Sequence, residues 1–207
     1  MNILIVAKTR MNPGVCIGGL DIDNNLSVRL LPKFGHNHDL NTPYEVGQIW
    51  EMEISPVENT IPPHVEDVRI QQSRLIGQER HLAQFLQRQI RPWRGGFESL
   101  FDRRVRFTGN GNGYISTWNG VPDQSTGYWI PNIDLTYSLE LNKVKYCYLG
   151  RWGIRKISFV GFQEPVEEIC AGTLLRVSLA RWWRPDDAQD NLEERCYLQL
   201  SGWYFDN

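Results

Sequence analysis

Gly47-Gln48-Ile49-Trp50-Glu51-Met52-Glu53-Ile54 and Gly172-Thr173-Leu174-Leu175-Arg176-Val177-Ser178-Leu179 align without a gap. In the first segment Trp50, Met52 and Ile54 alternate with Ile49, Glu51 and Glu53, giving an apolar and an acidic face at the two-residue period of a strand. An apolar hairpin containing Cys16 precedes the first segment, and one containing Cys147 precedes the second. This recurrence predicts two related five-stranded barrels in tandem rather than one sandwich.

The flanking sequence also reads as β. Residues 3–7 are a continuous apolar run, which fits a short strand buried on both faces, and Asn12, Pro13 and Gly14 turn the chain behind it. Residues 15–22 and 26–31 are separated by Asp23, Asn24 and Asn25, the turn chemistry of a hairpin. Residues 32–43 form a polar loop, and an extended pattern resumes at 65–70. Leu82, Phe85, Leu86 and Ile90 fall at helical spacing and Pro92 ends the pattern, so one inserted α-helix is expected at about residues 78–90. Gly109, Gly111 and Gly113 sit between residues 105–108 and 114–118 and predict a second hairpin. Further strands are expected within 136–149, 154–162, 173–180 and 195–204, with a polar loop at 186–191. The class is mainly β: a first unit over residues 1–120 carries the helical insertion, and a second spans 121–207.

Composition supports a folded chain. Of 207 residues, 41% are apolar and 22% charged, close to the average of globular proteins and enough for a sizeable core. The apolar run at 3–7 is far short of a bilayer span and no export signal precedes it, so a cytoplasmic protein without a membrane partner is expected. Cys16, Cys147, Cys170 and Cys196 form no C-x-x-C pair and read as reduced thiols. A net charge of -2 argues against holding nucleic acid by bulk charge. Charge is nevertheless polarised: residues 68–108 hold nine arginines against Glu79, Glu98 and Asp102, whereas 185–194 is acidic.

Three segments carry a family resemblance. Ala7-Lys8-Thr9-Arg10-Met11 with Val15-Cys16-Ile17-Gly18-Gly19, then Pro62-Pro63-His64-Val65-Glu66-Asp67-Val68, then Leu174 through Trp183, resemble the dual OB-containing domain family of bacterial conflict and defence-associated proteins. The resemblance extends over nearly the whole chain. It implies two tandem OB-like small β-barrels and recognition of nucleic acid or a nucleotide, within a defence system that includes protein partners. It transfers no catalytic residues.

OB barrels bind single strands by combining aromatic platforms with a cationic groove. Arg91, Trp93 and Arg94, flanked by Pro92 and Gly95, read as an exposed loop of that chemistry; Arg151 with Trp152, and Arg181 and Trp182 with Trp183 and Arg184, are similar neighbours. The competing reading is that tryptophans such as Trp50, Trp118 and Trp203 fill barrel cores while arginine stems cover apolar surface. Lys8, Thr9 and Arg10 follow a buried strand and suit a phosphate or carboxylate, or else form a solvated strand end. Arg29, between Val28 and Leu30, falls on a polar strand face, and with Arg176 of the 176–182 strand it completes the candidate contacts. His36, His38, His64 and Asp67 lack metal-site spacing, so no metal is expected.

Enzyme signatures are missing: there is no G-x-x-x-x-G-K-[ST] loop, G-x-S-x-G elbow or H-E-x-x-H helix, and no crossover helix follows Gly109, Gly111 and Gly113. No catalytic residue and no cofactor are expected. The leading expectation is a non-catalytic module that binds single-stranded nucleic acid or a nucleotide. A protein-docking subunit is the alternative, since Trp and Arg are enriched at interface centres. An enzyme holding a small anionic substrate on Lys8, Thr9 and Arg10 is the third.

Overall fold

The apolar N-terminal run forms β1 (Asn2–Arg10), which is followed by β2 (Val15–Asp21), β3 (Leu26–Leu31), β4 (Gln48–Pro56) and β5 (Asp67–Gln78). In the computed structural model, which describes residues 1–151, 153–185 and 193–205, these strands close into a barrel in the order β1-β2-β3-β5-β4. β3 and β5 run parallel, and the other neighbours are antiparallel. Ile3, Ile5, Ile17, Leu30, Trp50 and Met52 fill the interior. β5 continues well past Ile70 because it pairs with β4 as far as Gln78, across two bulges. The expected helix therefore begins later, as α1 (Leu82–Gln89).

The rest of the chain forms β6 (Trp93–Gly95), β7 (Arg106–Phe107), β8 (Gly113–Ser116), β9 (Thr126–Pro131), β10 (Leu135–Glu140), β11 (Lys143–Gly150), β12 (Gly153–Phe159), β13 (Glu168–Ile169), β14 (Leu174–Leu179) and β15 (Arg195–Tyr204). The sheet order is β13-β10-β11-β12-β15-β14-β9-β6. Only residues 132–134 separate β9, which pairs with β14, from β10, which pairs with β11. Taken as one bent strand, β9 and β10 close a second OB-like ring, in which parallel β12 and β15 correspond to β3 and β5. The aligned segments are the fourth strand of each ring: Gly47 (φ 93°) and Gly172 (φ 87°) adopt the same left-handed entry, a conformation that glycine permits.

Trp129, Tyr146, Leu175, Val177, Leu200 and Trp203 build the second core, and Phe97, Leu100, Phe101, Val105 and Ile115 pack into it as well. Phe97, Leu100, Phe101, Val105 and Ile115, which precede the boundary expected at residue 120, thus contribute to this core. Trp50 and Trp203 fill cores as expected, whereas Trp118 is 71% exposed on the short 3₁₀ turn Thr117–Asn119. The hairpin at 106–116 forms as β7 and β8. Residues 136–149 form two strands, reversed by a two-residue turn in which Leu141 (φ 50°) and Asn142 (φ 60°) both take positive φ. All four cysteines are free, and burial pushes the Cys196 thiol up to about 12. No helix among the described residues is long and apolar enough to cross a membrane.

A third apolar cluster joins the two barrels. Leu4, Val6 and Leu20 on the outside of the first barrel meet Tyr128, Ile130, Leu174 and Tyr204 of the second, and Ala83 and Leu86 of α1 are wedged against the seam. Val6 is the extra residue of a bulge in β1, since Ile5 faces Gly19 and Ala7 faces Gly18. Its carbonyl, displaced from the β1–β2 ladder, accepts a 2.6 Å bond from the buried Tyr204 hydroxyl. Farther along, the Arg10 amide donates to the Val160 carbonyl at 2.8 Å. Tyr204→Phe should strand the Val6 carbonyl and lower stability by about 1–3 kcal/mol. Urea unfolding checks this: the midpoint should fall while the slope stays unchanged.

Candidate nucleic-acid interface

The ligand surface of an OB barrel is the outer face of its second and third strands, flanked by the loop between strands 1 and 2 and the loop between strands 4 and 5. In the first barrel that face is turned inward. Cys16, Gly18 and Arg29 of β2 and β3, with Met11 and His64 from the two loops, look across a cavity of about 220 Å³ at Arg176 and Ser178 of β14. Arg176 is only 4% exposed. Its guanidinium lies directly on Gly18, where a Cβ would approach Nη2 to 2.8 Å and push the guanidinium aside.

The other charges around this cavity are wired together. Arg29 reaches Asp67 at 3.2 Å, Cys16 Sγ at 3.2 Å and Asn37 Oδ1 at 3.1 Å. Arg181 from the second barrel donates to the same Asp67 at 2.7 Å. Glu66 accepts from the Ser125 amide (2.6 Å) and hydroxyl (2.9 Å) and from the Thr126 amide (3.1 Å). His64 Nε2 donates to the Leu179 carbonyl at 3.2 Å; burial, and after it the Arg181 charge, push its pKa down. The neutral ring then presents Nδ1 as an acceptor.

The corresponding face of the second barrel is open. A cleft of about 600 Å³ runs over β11, β12 and β15, lined by Lys143, Lys156, Ser158, Tyr197 and Gln199, with Arg10 of the first barrel at its edge. Lys145 and Lys156 share Glu140, the former at 2.9 Å, and hydrogen bonds from Lys156 and then Lys145 hold the Glu140 carboxyl below its ordinary range. Tyr197 lies between Tyr114 (6.2 Å) and Trp183 (6.0 Å), and Trp183 is 53% exposed.

The residues singled out in the sequence divide among several places. Lys8 pairs with Glu45 at 2.6 Å and Arg10 lies 4.9 Å from the Phe162 ring centre, with its guanidinium on the Gly161 carbonyl. Thr9, on the opposite side of β1, faces the inter-barrel cavity. Strand alternation thus keeps the three from forming one anion site. Arg29, Arg176 and Arg181 come together at the cavity. Arg91 and Arg94 are exposed, and Arg91 edges a separate cleft of about 550 Å³ beside α1. Trp93 is not an exposed platform: β6 pairs with β9, which seats the ring 4.8 Å from Phe101 with Nε1 donating to Asp102 at 3.3 Å. Trp182 likewise pins a loop, donating to the Pro62 carbonyl at 2.8 Å. Trp152 and residues 186–191 lie outside the described residues. Lys143, Lys145, Lys156 and Tyr197 escaped the sequence reading because they converge only once β11, β12 and β15 pair. His38 Nε2 bonds the Leu30 carbonyl at 2.9 Å, and among the described residues no three His, Cys, Asp or Glu side chains cluster as metal ligands.

The dual OB-containing domain model matches residues 1–203. The chain belongs to this family. Curated proteins offer no match to the dual OB-containing chain. Solved structures similar to it include a murine DNA-binding protein bound with double-stranded DNA, 8% identical over 97% of this chain and 91% of that one with a TM-score of 0.32. A HINa domain in complex with 20-base-pair double-stranded DNA is 8% identical over 97% and 96%, with a TM-score of 0.30.

Burial lowers the pKa of both His38 and His64 in this dual OB-containing protein. The unfolded chain takes up protons near pH 6.5 that the native state refuses, so stability is present above that value and is lost as pH falls through it. Melting temperature should decline from pH 7.5 to 5.5, and the decline should be shallower in His64→Gln.

Proposed function

We propose that this protein is a non-catalytic binding module for single-stranded nucleic acid or a nucleotide, acting in the bacterial defence setting that its family implies. One observation carries the reading: the open OB face of the second barrel combines Lys143, Lys145, Lys156 and Arg10 with the aromatic group of Tyr197 and Trp183. Cations that follow the backbone and rings that take bases are the two elements of sequence-tolerant single-strand binding. Glu140 is one carboxylate shared by two lysines, so the face keeps a positive charge on a chain whose net charge is -2. Attraction is therefore local, and each phosphate neutralised there releases counterions.

Labelled single-stranded RNA and DNA oligonucleotides, with duplex controls, test this by fluorescence anisotropy across a salt series. Three phosphate contacts predict a slope of about -2 in log K against log salt for single strands. Lys143→Gln combined with Lys156→Gln should weaken binding and reduce that slope by roughly 1.4. Arg91→Gln with Arg94→Gln, which lie by the cleft beside α1 and on β6 and do not line the β11–β12–β15 cleft, should leave both unchanged. Absence of binding at low salt would move the assignment to a protein-docking role.

A further inference from the structure

We propose that the cavity between the barrels binds one phosphate group, free or at the end of a nucleotide, on Arg176. The inference stands apart from the open cleft and does not depend on it.

Arg176 is a buried cation without a counterion. Its Nε has no hydrogen-bond partner, and the carboxylates around the cavity are committed elsewhere, Asp67 to Arg29 and Arg181 and Glu66 to Ser125 and Thr126. Three guanidinium groups thus meet two carboxylates, and one positive charge is left over. A buried charge left uncompensated is strongly unfavourable, so the arrangement selects for an anion.

Unpartnered polar atoms concentrate at the same place. Thr126 Oγ1, the Tyr128 hydroxyl and His64 Nδ1 are buried without partners, as is Arg176 Nε. Thr126 and His64 line the cavity, and Tyr128 stands opposite Arg176 in the β9–β14 register. Burial pushes the Tyr128 hydroxyl pKa up, and the Arg176 charge, with a weak hydrogen bond from its guanidinium, opposes that push, so the two groups face each other without either being fully satisfied. Buried polar groups in folded proteins are satisfied, and a cluster of exceptions requires a cause. A phosphate oxygen accepts from guanidinium and hydroxyl donors. Monohydrogen phosphate also carries one O–H, which His64 Nδ1 can accept; sulfate has none. The cavity of about 220 Å³ is several times the roughly 30 Å³ share of one water, enough for a tetrahedral oxyanion. Thr126 also lines the 550 Å³ cleft beside α1, which gives a substituent on the phosphate a direction to leave.

Titration calorimetry and thermal melting of the whole chain, with inorganic phosphate at constant ionic strength, test the proposal. We expect one phosphate per chain and a melting temperature that rises with phosphate concentration. Adenosine monophosphate and adenosine distinguish the source. Tighter binding of the nucleotide with inert adenosine supports a nucleotide phosphate, and equal or tighter binding of inorganic phosphate supports the free ion. Arg176→Met should weaken phosphate binding about 10- to 100-fold. It should also melt no lower than wild type in phosphate-free buffer, since it removes an unpaired buried charge. Thr126→Val, which leaves every charge in place, should weaken binding several-fold. No saturable phosphate binding by the wild type overturns the proposal without recourse to a variant. So does full binding by a folded Arg176→Met, and sulfate bound as tightly as phosphate overturns the choice of ligand.

Discussion

Everything in this molecule is arranged around an apolar stripe on the wrong side of a barrel. Leu4, Val6 and Leu20 point out of the first ring, away from the core that Ile3, Ile5 and Ile17 fill. A five-stranded barrel standing alone would present that stripe to water, and burial of apolar surface is the main favourable term in folding. The second barrel and α1 cover it. Because the stripe lies beside the ligand face of the first barrel, covering the one brings the second barrel up against the other. The first barrel's usual binding surface becomes one wall of a small cavity shared with β14, while that of the second lines a larger cleft of its own.

The matching strand pattern of the two rings makes the asymmetry plain. Glu51 and Arg176 occupy the same position of the aligned fourth strands, each on the outward side. Glu51 lies in solvent beside Arg74, a pairing that contributes little at such exposure. Arg176 stands against Gly18 and is buried. The strand pattern is shared, but the environment of the outward residue is decided by whether another barrel lies over it. The two rings have thus acquired different surfaces on a common frame.

This also explains what could be read in advance. The barrels were legible because alternation along residues 47–54 and 172–179 reports which side of a strand is buried in its own ring. α1 was legible from Leu82, Phe85, Leu86 and Ile90, though its start was not, since pairing with β4 holds residues up to Gln78 extended. Burial imposed by the partner ring leaves no such periodicity. Arg176 has the pattern of a solvated strand residue and gives no hint of its depth. Trp93, between proline and glycine, reads as loop, yet three residues of parallel pairing with β9 draw it into a sheet. Leu141 enters a turn that Asn142 alone would barely announce. Lys143, Lys156 and Tyr197 lie on three strands, and only their pairing turns them into one surface.

The bond from Tyr204 to Val6 joins residues 198 positions apart, and β15 supplies strands to both the second ring and the seam. On the ribosome the first barrel is complete long before β15 exists. Contacts of such sequence separation form late and slowly. The nascent chain therefore carries a finished ring whose Leu4, Val6 and Leu20 are covered by α1 alone until β9, β14 and β15 follow, an interval in which partly exposed apolar surface invites association with other chains or a chaperone. The seam that unites the mature protein is, for the growing one, its period of greatest exposure.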